Sequence, residues 1–282
     1  MDRRLIPANA RVAAAHLRGQ IEAPLFAEGE RRSVCQPLVD LLSAPHGRRE
    51  RQLLLGEVVT QYEVRAGWSF VQAERDGYVG YLTVNQLEDR RPATHRVSAR
   101  SSHLYSEPNF KSPERMALSL GAQLRVTGQV GPFYVTLDGY VPVPHLEPIE
   151  QRATDPLEVA EQYLGVPYLW GGNSIWGIDC SGLVQAACLA CGIDCPGDSD
   201  LQEAALGQAL EHGAAARRGD LLFWKGHVAL VADKARILHA NAFHMAVSYE
   251  DKQGAIDRIS AQGGGPVTSH RRLPVPTKGA EK

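Results

Sequence analysis

The sequence predicts a multidomain chain, with two small all-β barrels followed by a larger α+β domain. Three observations carry this prediction. The first is a repeat. Leu41-Leu42-Ser43-Ala44-Pro45 and Leu104-Tyr105-Ser106-Glu107-Pro108 lie 63 residues apart. Each is followed by a Leu-Gly pair (Leu55-Gly56, Leu120-Gly121), then a glycine-led aromatic run (Gly67-Trp68-Ser69-Phe70, Gly131-Pro132-Phe133-Tyr134), then Asp-Gly-Tyr-Val (Asp76 to Val79, Asp138 to Val141). A nearly constant offset of this kind, 62 to 65 residues, indicates internal duplication. The second is pattern: each copy is built of short alternating runs bounded by Gly, Pro and Asp, with Asp-Gly dipeptides that suit hairpin turns. The third is a change of period. After a polar stretch over 147–154, Asp155-Pro156 reads as a helix cap and a proline at the first helical position, and Leu157, Ala160 and Leu164 keep helical spacing until Gly165 and Pro167. The expected boundaries are 1–30 for an N-terminal segment packing on the rest, 31–91 and 92–150 for the barrels, and 151–282 for the α+β domain.

Composition narrows the function classes. Hydrophobic residues are 44% and charged residues 22% of the 282, with a formal net charge of -2 and both signs scattered. This speaks against a nucleic-acid partner, which usually demands a basic face. No run is long and apolar enough to span a bilayer. Arg3-Arg4 could open an export signal, but Pro7, Asn9, Arg11, His16 and Arg18 interrupt the apolar run that a signal needs. No membrane partner is expected, and the default is a cytoplasmic protein, or one exported by a route that leaves no visible signal. Cys35, Cys180, Cys188, Cys191 and Cys195 are odd in number and crowded, unlike a disulfide framework, which fits a reducing compartment.

Cys180 stands out by its surroundings. It lies in Gly177-Ile178-Asp179-Cys180-Ser181-Gly182, among polar residues, just before an apolar stripe of Leu183, Val184, Ala187, Cys188 and Cys191. The stripe is one buried helix face, and Gly192 stops it. Cys180 therefore falls in the first turn, capped by Asp179. A helix N-terminus offers free N–H groups and partial positive charge, which favour a thiolate and can hold an oxyanion beside it. Cys188, Cys191 and Cys195 have tempting metal spacing, but two of them sit on the apolar stripe and no second Cys-x2-Cys pair exists, so no metal or cofactor is expected.

A nucleophile of this kind needs a base. The run from Gly219 to Val231 reads as two buried strands broken near Gly226, with His227 opening the second, and Arg236 to Asn241 follows after a turn around Asp233-Lys234. If Ala232, Asp233 and Lys234 form a three-residue hairpin loop, His227 stands directly opposite His239 on the same face. His239 then orients the ring of His227, and a two-residue loop would undo this by putting the rings on opposite faces.

The runs Pro167-Tyr168-Leu169-Trp170-Gly171-Gly172, Asp179-Cys180-Ser181-Gly182-Leu183-Val184, Gly219-Asp220-Leu221-Leu222-Phe223 and Gly226-His227-Val228-Ala229-Leu230-Val231 resemble the NlpC/P60 family of cell-wall cysteine peptidases, in order and spacing over roughly residues 155–245. The Gly-Tyr-Val repeat resembles bacterial SH3-like barrels. Two such barrels before a papain-like domain resemble the γ-D-glutamyl-L-diamino acid endopeptidases. The resemblance implies Cys180 as nucleophile, His227 as base and His239 as the residue that orients it. It implies Tyr168 beside the oxyanion position, Asp179 and Ser181 as flanking substrate contacts, and Asp198 and Ser199 as the pair that meets a free peptide amino terminus. A tyrosine of the first barrel is expected to close that pocket, with Tyr78 chosen and Tyr81 the alternative.

The implied partner is a murein-derived peptide, L-Ala-γ-D-Glu-diamino acid, with an unblocked amine. Two other readings stay open at this point. One is a non-catalytic protein that binds wall peptides. The other is papain-like amide hydrolysis or acyl transfer on a different substrate. The tail from Gly263 onward reads as a surface segment with a frayed end.

Overall fold

A computed structural model describes residues 2–211 and 213–274. The chain divides into two compact units, 1–149 and 150–282.

The first unit is β structure with short 3₁₀ turns. A seven-stranded sheet runs in the order 49–54, 38–42, 79–83, 68–73, 58–65, 30–34 and 87–89. It encloses Val34, Leu41, Leu53, Val59, Val71, Tyr78 and Leu82. The N-terminal segment is tied to it. Val79 N–H donates to the Arg4 carbonyl (2.8 Å), and Arg11 grips both oxygens of Glu63 at 2.7 and 2.6 Å. A second β module follows, a five-stranded sheet over 101–142 and a three-stranded sheet of 95–97, 123–124 and 146–148. The duplication is visible in the backbone. The 38–42 strand shifts register between Leu41 and Leu42, and the 101–105 strand does so between Leu104 and Tyr105, at the same 63-residue offset. Each module also ends in a short 3₁₀ turn and a closing strand, Val84–Gln86 with Leu87–Asp89 and Val143–His145 with Leu146–Pro148. The Leu146–Pro148 strand pairs with His95–Val97, so the expected linker loses its first two residues to the sheet.

The two modules share a core. Leu54 and Leu55 of the first pack with Val97, Leu104, Leu118 and Val141 of the second. Gly56 makes the approach possible: a Cβ there would lie 2.1 Å from the Gln123 carbonyl oxygen, and Gly56 holds a φ of +80°. Only glycine meets both demands.

The second unit is α+β. Asp155 caps the Pro156–Glu161 helix by accepting from Leu157 N–H at 2.8 Å. The Cys180–Ala190 helix packs against this helix and against the His227–Val231 and Arg236–Asn241 strands. Those strands belong to a six-stranded sheet in the order 208–209, 269–272, 221–224, 227–231, 236–241 and 246–251. Its central strands are buried on both faces, which is why they read as unbroken apolar runs. One expectation is overturned here. The tail from Gly263 is not merely surface, because Ser269–Arg272 pairs with Leu221–Phe223 inside the sheet. His270 and Arg272 both bind the buried carboxylate of Asp220, Arg272 at 2.8 and 2.7 Å and His270 at 2.9 Å. Residues 275–282 lie outside the described residues.

Candidate active site

Cys180 is the first residue of its helix and is 7% exposed. Asp179 builds this turn. Its Oδ1 accepts from Gly182 N–H (2.6 Å) and from the Ser181 hydroxyl (3.0 Å), and its Oδ2 accepts from Gly171 N–H (2.8 Å). One carboxylate thus caps the helix and pins the Tyr168–Gly172 loop to it. Asp179 and Ser181 are both buried. Their side chains bond within the helix start, beside the sulfur. Gly182 accepts no side chain, because a Cβ would fall 2.4 Å from the Gly172 carbonyl oxygen.

Tyr168 comes from the same loop and is half-buried; its N–H donates to the Met245 carbonyl at 2.9 Å. Burial pushes its hydroxyl pKa well above the usual tyrosine range, and the charges of Cys180 and Asp179 push it further. The hydroxyl therefore keeps its proton, and the sulfur is among the groups close enough to act on it.

The histidines meet, though not by the register expected. Leu230 pairs with Leu238 and Val231 with Ile237. The three-residue loop is present but one position later, at 233–235, because the Asp233 carboxylate accepts from Ala235 and Arg236 N–H at 2.9 and 2.8 Å and builds the turn. His227 is consequently a diagonal neighbour of His239 and not its direct opposite. A shift of two preserves the face, and the rings still touch: His227 Nε2 lies 2.8 Å from His239 Nδ1. Burial, then the neighbouring His239, push the His227 pKa down to about 3; burial pushes His239 down to about 4.

The chain of contacts continues to residues that the sequence reading missed. His239 Nε2 lies 3.0 Å from Glu250 Oε2. Glu250 is gripped by Arg258 of the Lys252–Ile259 helix at 2.8 and 2.7 Å. Ile237 pairs with Glu250 and His239 with Ser248, so Glu250 is again a same-face diagonal neighbour. Alternation along Ala246–Asp251 could have placed Glu250 on the His239 face, had the hairpin register been known.

Asp198 is half-buried and precedes the Ser199–Ala205 helix; Ser199 is buried at its first position. Gln202, fully buried and not predicted, joins this helix to the nucleophile turn. Its Nε2 donates to the Ser181 carbonyl (2.8 Å) and the Pro196 carbonyl (3.0 Å). Tyr78 is placed differently from expectation. It is 2% exposed in the core of its own barrel, with its hydroxyl 3.5 Å from Glu50. An aromatic committed to that core presents no ring face to a ligand. Tyr81 is half-buried, with its ring tilted 41° against that of Phe70 at a centroid distance of 5.2 Å.

Comparison with known proteins follows from this geometry. Residues 165–260 match the model of the NlpC/P60 family. The chain carries an NlpC/P60 domain. Residues 41–87 match the bacterial dipeptidyl-peptidase SH3 domain, so an SH3 domain precedes it. The chain is 29% identical over 220 residues to the gamma-D-glutamyl-L-lysine dipeptidyl-peptidase of Bacillus subtilis (strain 168), covering 68% of this chain and 72% of that protein. It is 29% identical over 208 residues to dipeptidyl-peptidase 6 of Lysinibacillus sphaericus, covering 64% and 74%. In fold it resembles an NlpC/P60 family protein from Bacillus cereus ATCC 10987, with a TM-score of 0.72, 20% identity, and coverage of 87% of this chain and 100% of that one. The protein is a hydrolase of the cysteine peptidase class, and the non-catalytic reading falls away.

Proposed function

We propose that this NlpC/P60 protein hydrolyses the γ-D-glutamyl–diamino acid bond of free murein-derived peptides such as L-Ala-γ-D-Glu-diaminopimelate. The observation that carries the chemistry is the 2.8 Å bond between His227 Nε2 and His239 Nδ1. With Nε2 engaged, Nδ1 is the nitrogen left to take the Cys180 proton. The sulfur then attacks the γ-carbonyl, and a carbon–sulfur bond forms as the oxygen becomes an oxyanion. N–H groups at the helix start and the protonated Tyr168 hydroxyl are the donors at hand for that charge; one such donor typically lowers the barrier by about 3 kcal/mol. His227 gives its proton to the departing diamino acid nitrogen, leaving a thioester. Water, deprotonated by His227, releases L-Ala-D-Glu with a free γ-carboxylate and restores the thiol.

Substrate choice rests on the names of the relatives and on Asp198 and Ser199, which stand next to the nucleophile turn through Gln202. A carboxylate there suits the ammonium of an unblocked L-alanine. An acylated stem lacks this charge, which fits recycling of free peptides in the cytoplasm. The five cysteines, none of them in a disulfide, fit the same compartment. We read 92–150 as a second SH3-like barrel, on the strength of the repeated register shift and closing turn.

Mass spectrometry of the products from L-Ala-γ-D-Glu-diaminopimelate and its lysine counterpart tests the reaction. Wild type should release L-Ala-D-Glu, and Cys180→Ala should release none. N-acetylation of the substrate should sharply lower kcat/KM. An equal rate on the acetylated peptide would defeat the amine-recognition claim.

A further inference from the structure

We infer that Glu250, held by Arg258, is a positioning residue that selects the working tautomer of the whole histidine pair. The inference rests on the peptidase mechanism proposed above, but its physical content lies in a directed chain of hydrogen bonds. Glu250 is a paired carboxylate. Burial would raise its pKa, but the bonds from Arg258 and His239 outweigh burial and hold it below the ordinary range. An ionised carboxylate only accepts. The 3.0 Å contact with His239 Nε2 therefore requires a proton on that nitrogen, which leaves Nδ1 of a neutral His239 bare. A bare Nδ1 accepts, so the 2.8 Å contact to His227 requires a proton on His227 Nε2. A neutral His227 protonated there has its lone pair on Nδ1, the state a base needs. Reversing the first bond would reverse every bond after it and leave a proton where the base must be empty.

The surroundings support this reading. His239 is 0% exposed, so no water replaces Glu250 as its partner at low cost. Among the described residues, Arg258, His239 and His244 are the charged or titratable groups that pair with Glu250; His244 Nδ1 is 3.9 Å away and also contacts Asn241 Oδ1 at 3.1 Å. Arg258 contributes more than charge. It lies on the helix whose Ala255 and Ile259 pack on Val231 and Ile237, so the carboxylate is fixed relative to the sheet that bears both histidines. Two orienting layers behind one base give Glu250 a role without contact to substrate.

The test is imidazole ¹⁵N NMR combined with kinetics on the peptide that wild type cleaves. In wild type, His239 should be protonated on Nε2 and bare on Nδ1. The opposite tautomer overturns the inference before any variant is made. Glu250→Ala removes the acceptor. It should mix the His239 tautomers and lower kcat about ten- to a hundred-fold, as loss of the outer partner of a functional histidine commonly does, with KM little changed. Glu250→Gln keeps an acceptor and should fall between wild type and Glu250→Ala. An unchanged tautomer and unchanged kcat in Glu250→Ala would overturn it. The NMR reading needs no substrate. If the tautomers shift as expected but no γ-glutamyl peptide is cleaved, the wiring stands and the substrate assignment fails.

Discussion

His227 and His239 are joined ring to ring across neighbouring strands, Nε2 to Nδ1, although the register sets them two residues out of line. Same-face diagonal neighbours on adjacent strands stay within reach of long side chains. The pair is a product of sheet geometry, in the register that the 233–235 turn sets.

Removing either member should therefore act on rate more than on binding. His227→Ala should lower kcat by about 10²–10⁴-fold, the usual contribution of a positioned base. His239→Ala should lower kcat as well while leaving KM close to wild type, because His239 is fully buried. Steady-state kinetics with the cleaved peptide separate the two parameters, and a change confined to KM would contradict the assignment.

Acid should destabilise the fold through His239. Its folded pKa of about 4 lies below the roughly 6.5 of an unfolded histidine. Between these values the unfolded chain binds the extra proton, so stability falls as pH drops through that window and levels off below it. One such group contributes a slope of about 1.4 kcal/mol per pH unit. Urea midpoints of wild type and His239→Asn between pH 4.5 and 7 should converge on acidification as wild type loses this contribution. Parallel curves would contradict a buried neutral histidine.

Asp179 should matter for stability as much as for catalysis. Asp179→Ala strips the cap from the Cys180 helix and the anchor from Gly171 N–H. The expected loss is about 2 kcal/mol, read from urea denaturation, together with a fall in kcat as the helix start loosens. A variant of wild-type stability would show that the cap is dispensable.

Gln202 links two parts of the site without belonging to either. Gln202→Leu leaves the Ser181 and Pro196 carbonyls without their donor, at a cost of about 1–3 kcal/mol. It should also raise KM for the free-amine peptide, since the loop carrying Asp198 is released. An unchanged KM in a destabilised variant would confine Gln202 to packing.

Arg272 anchors the last described strand. Arg272→Ala removes two bonds to buried Asp220 and leaves only His270 on that carboxylate from the strand. A loss of about 1–3 kcal/mol is expected by thermal or urea unfolding. A neutral outcome would mean the strand docks by its backbone alone.

Much of the candidate site could be read along the chain because its signals are local. Asp179 before Cys180, the apolar stripe after it and Gly192 at its end are helix grammar, and the helix runs over Cys180–Ala190 with Asp179 as its cap. The strands bearing His227 and His239 were equally plain as apolar runs. What stayed hidden depends on distance. The hairpin register turned on one side chain, Asp233, which builds its own turn. Glu250 gains meaning only when its strand is laid beside His239. Ser269–Arg272 is too polar to look like a strand and is recruited by Asp220, about fifty residues earlier. Nothing local to Tyr78 tells that its ring turns into the barrel interior, which only the closed sheet decides.

The Leu54–Leu55 corner that enters the second β module has an evolutionary cost. A repeat usually begins as a self-sufficient part that can be copied, moved or deleted. Here the first part lends two leucines to its neighbour's interior, and a glycine keeps the seam shut. Cutting the chain near residue 91 would expose greasy surface on both pieces, so the twins have exchanged their independence for a common fate.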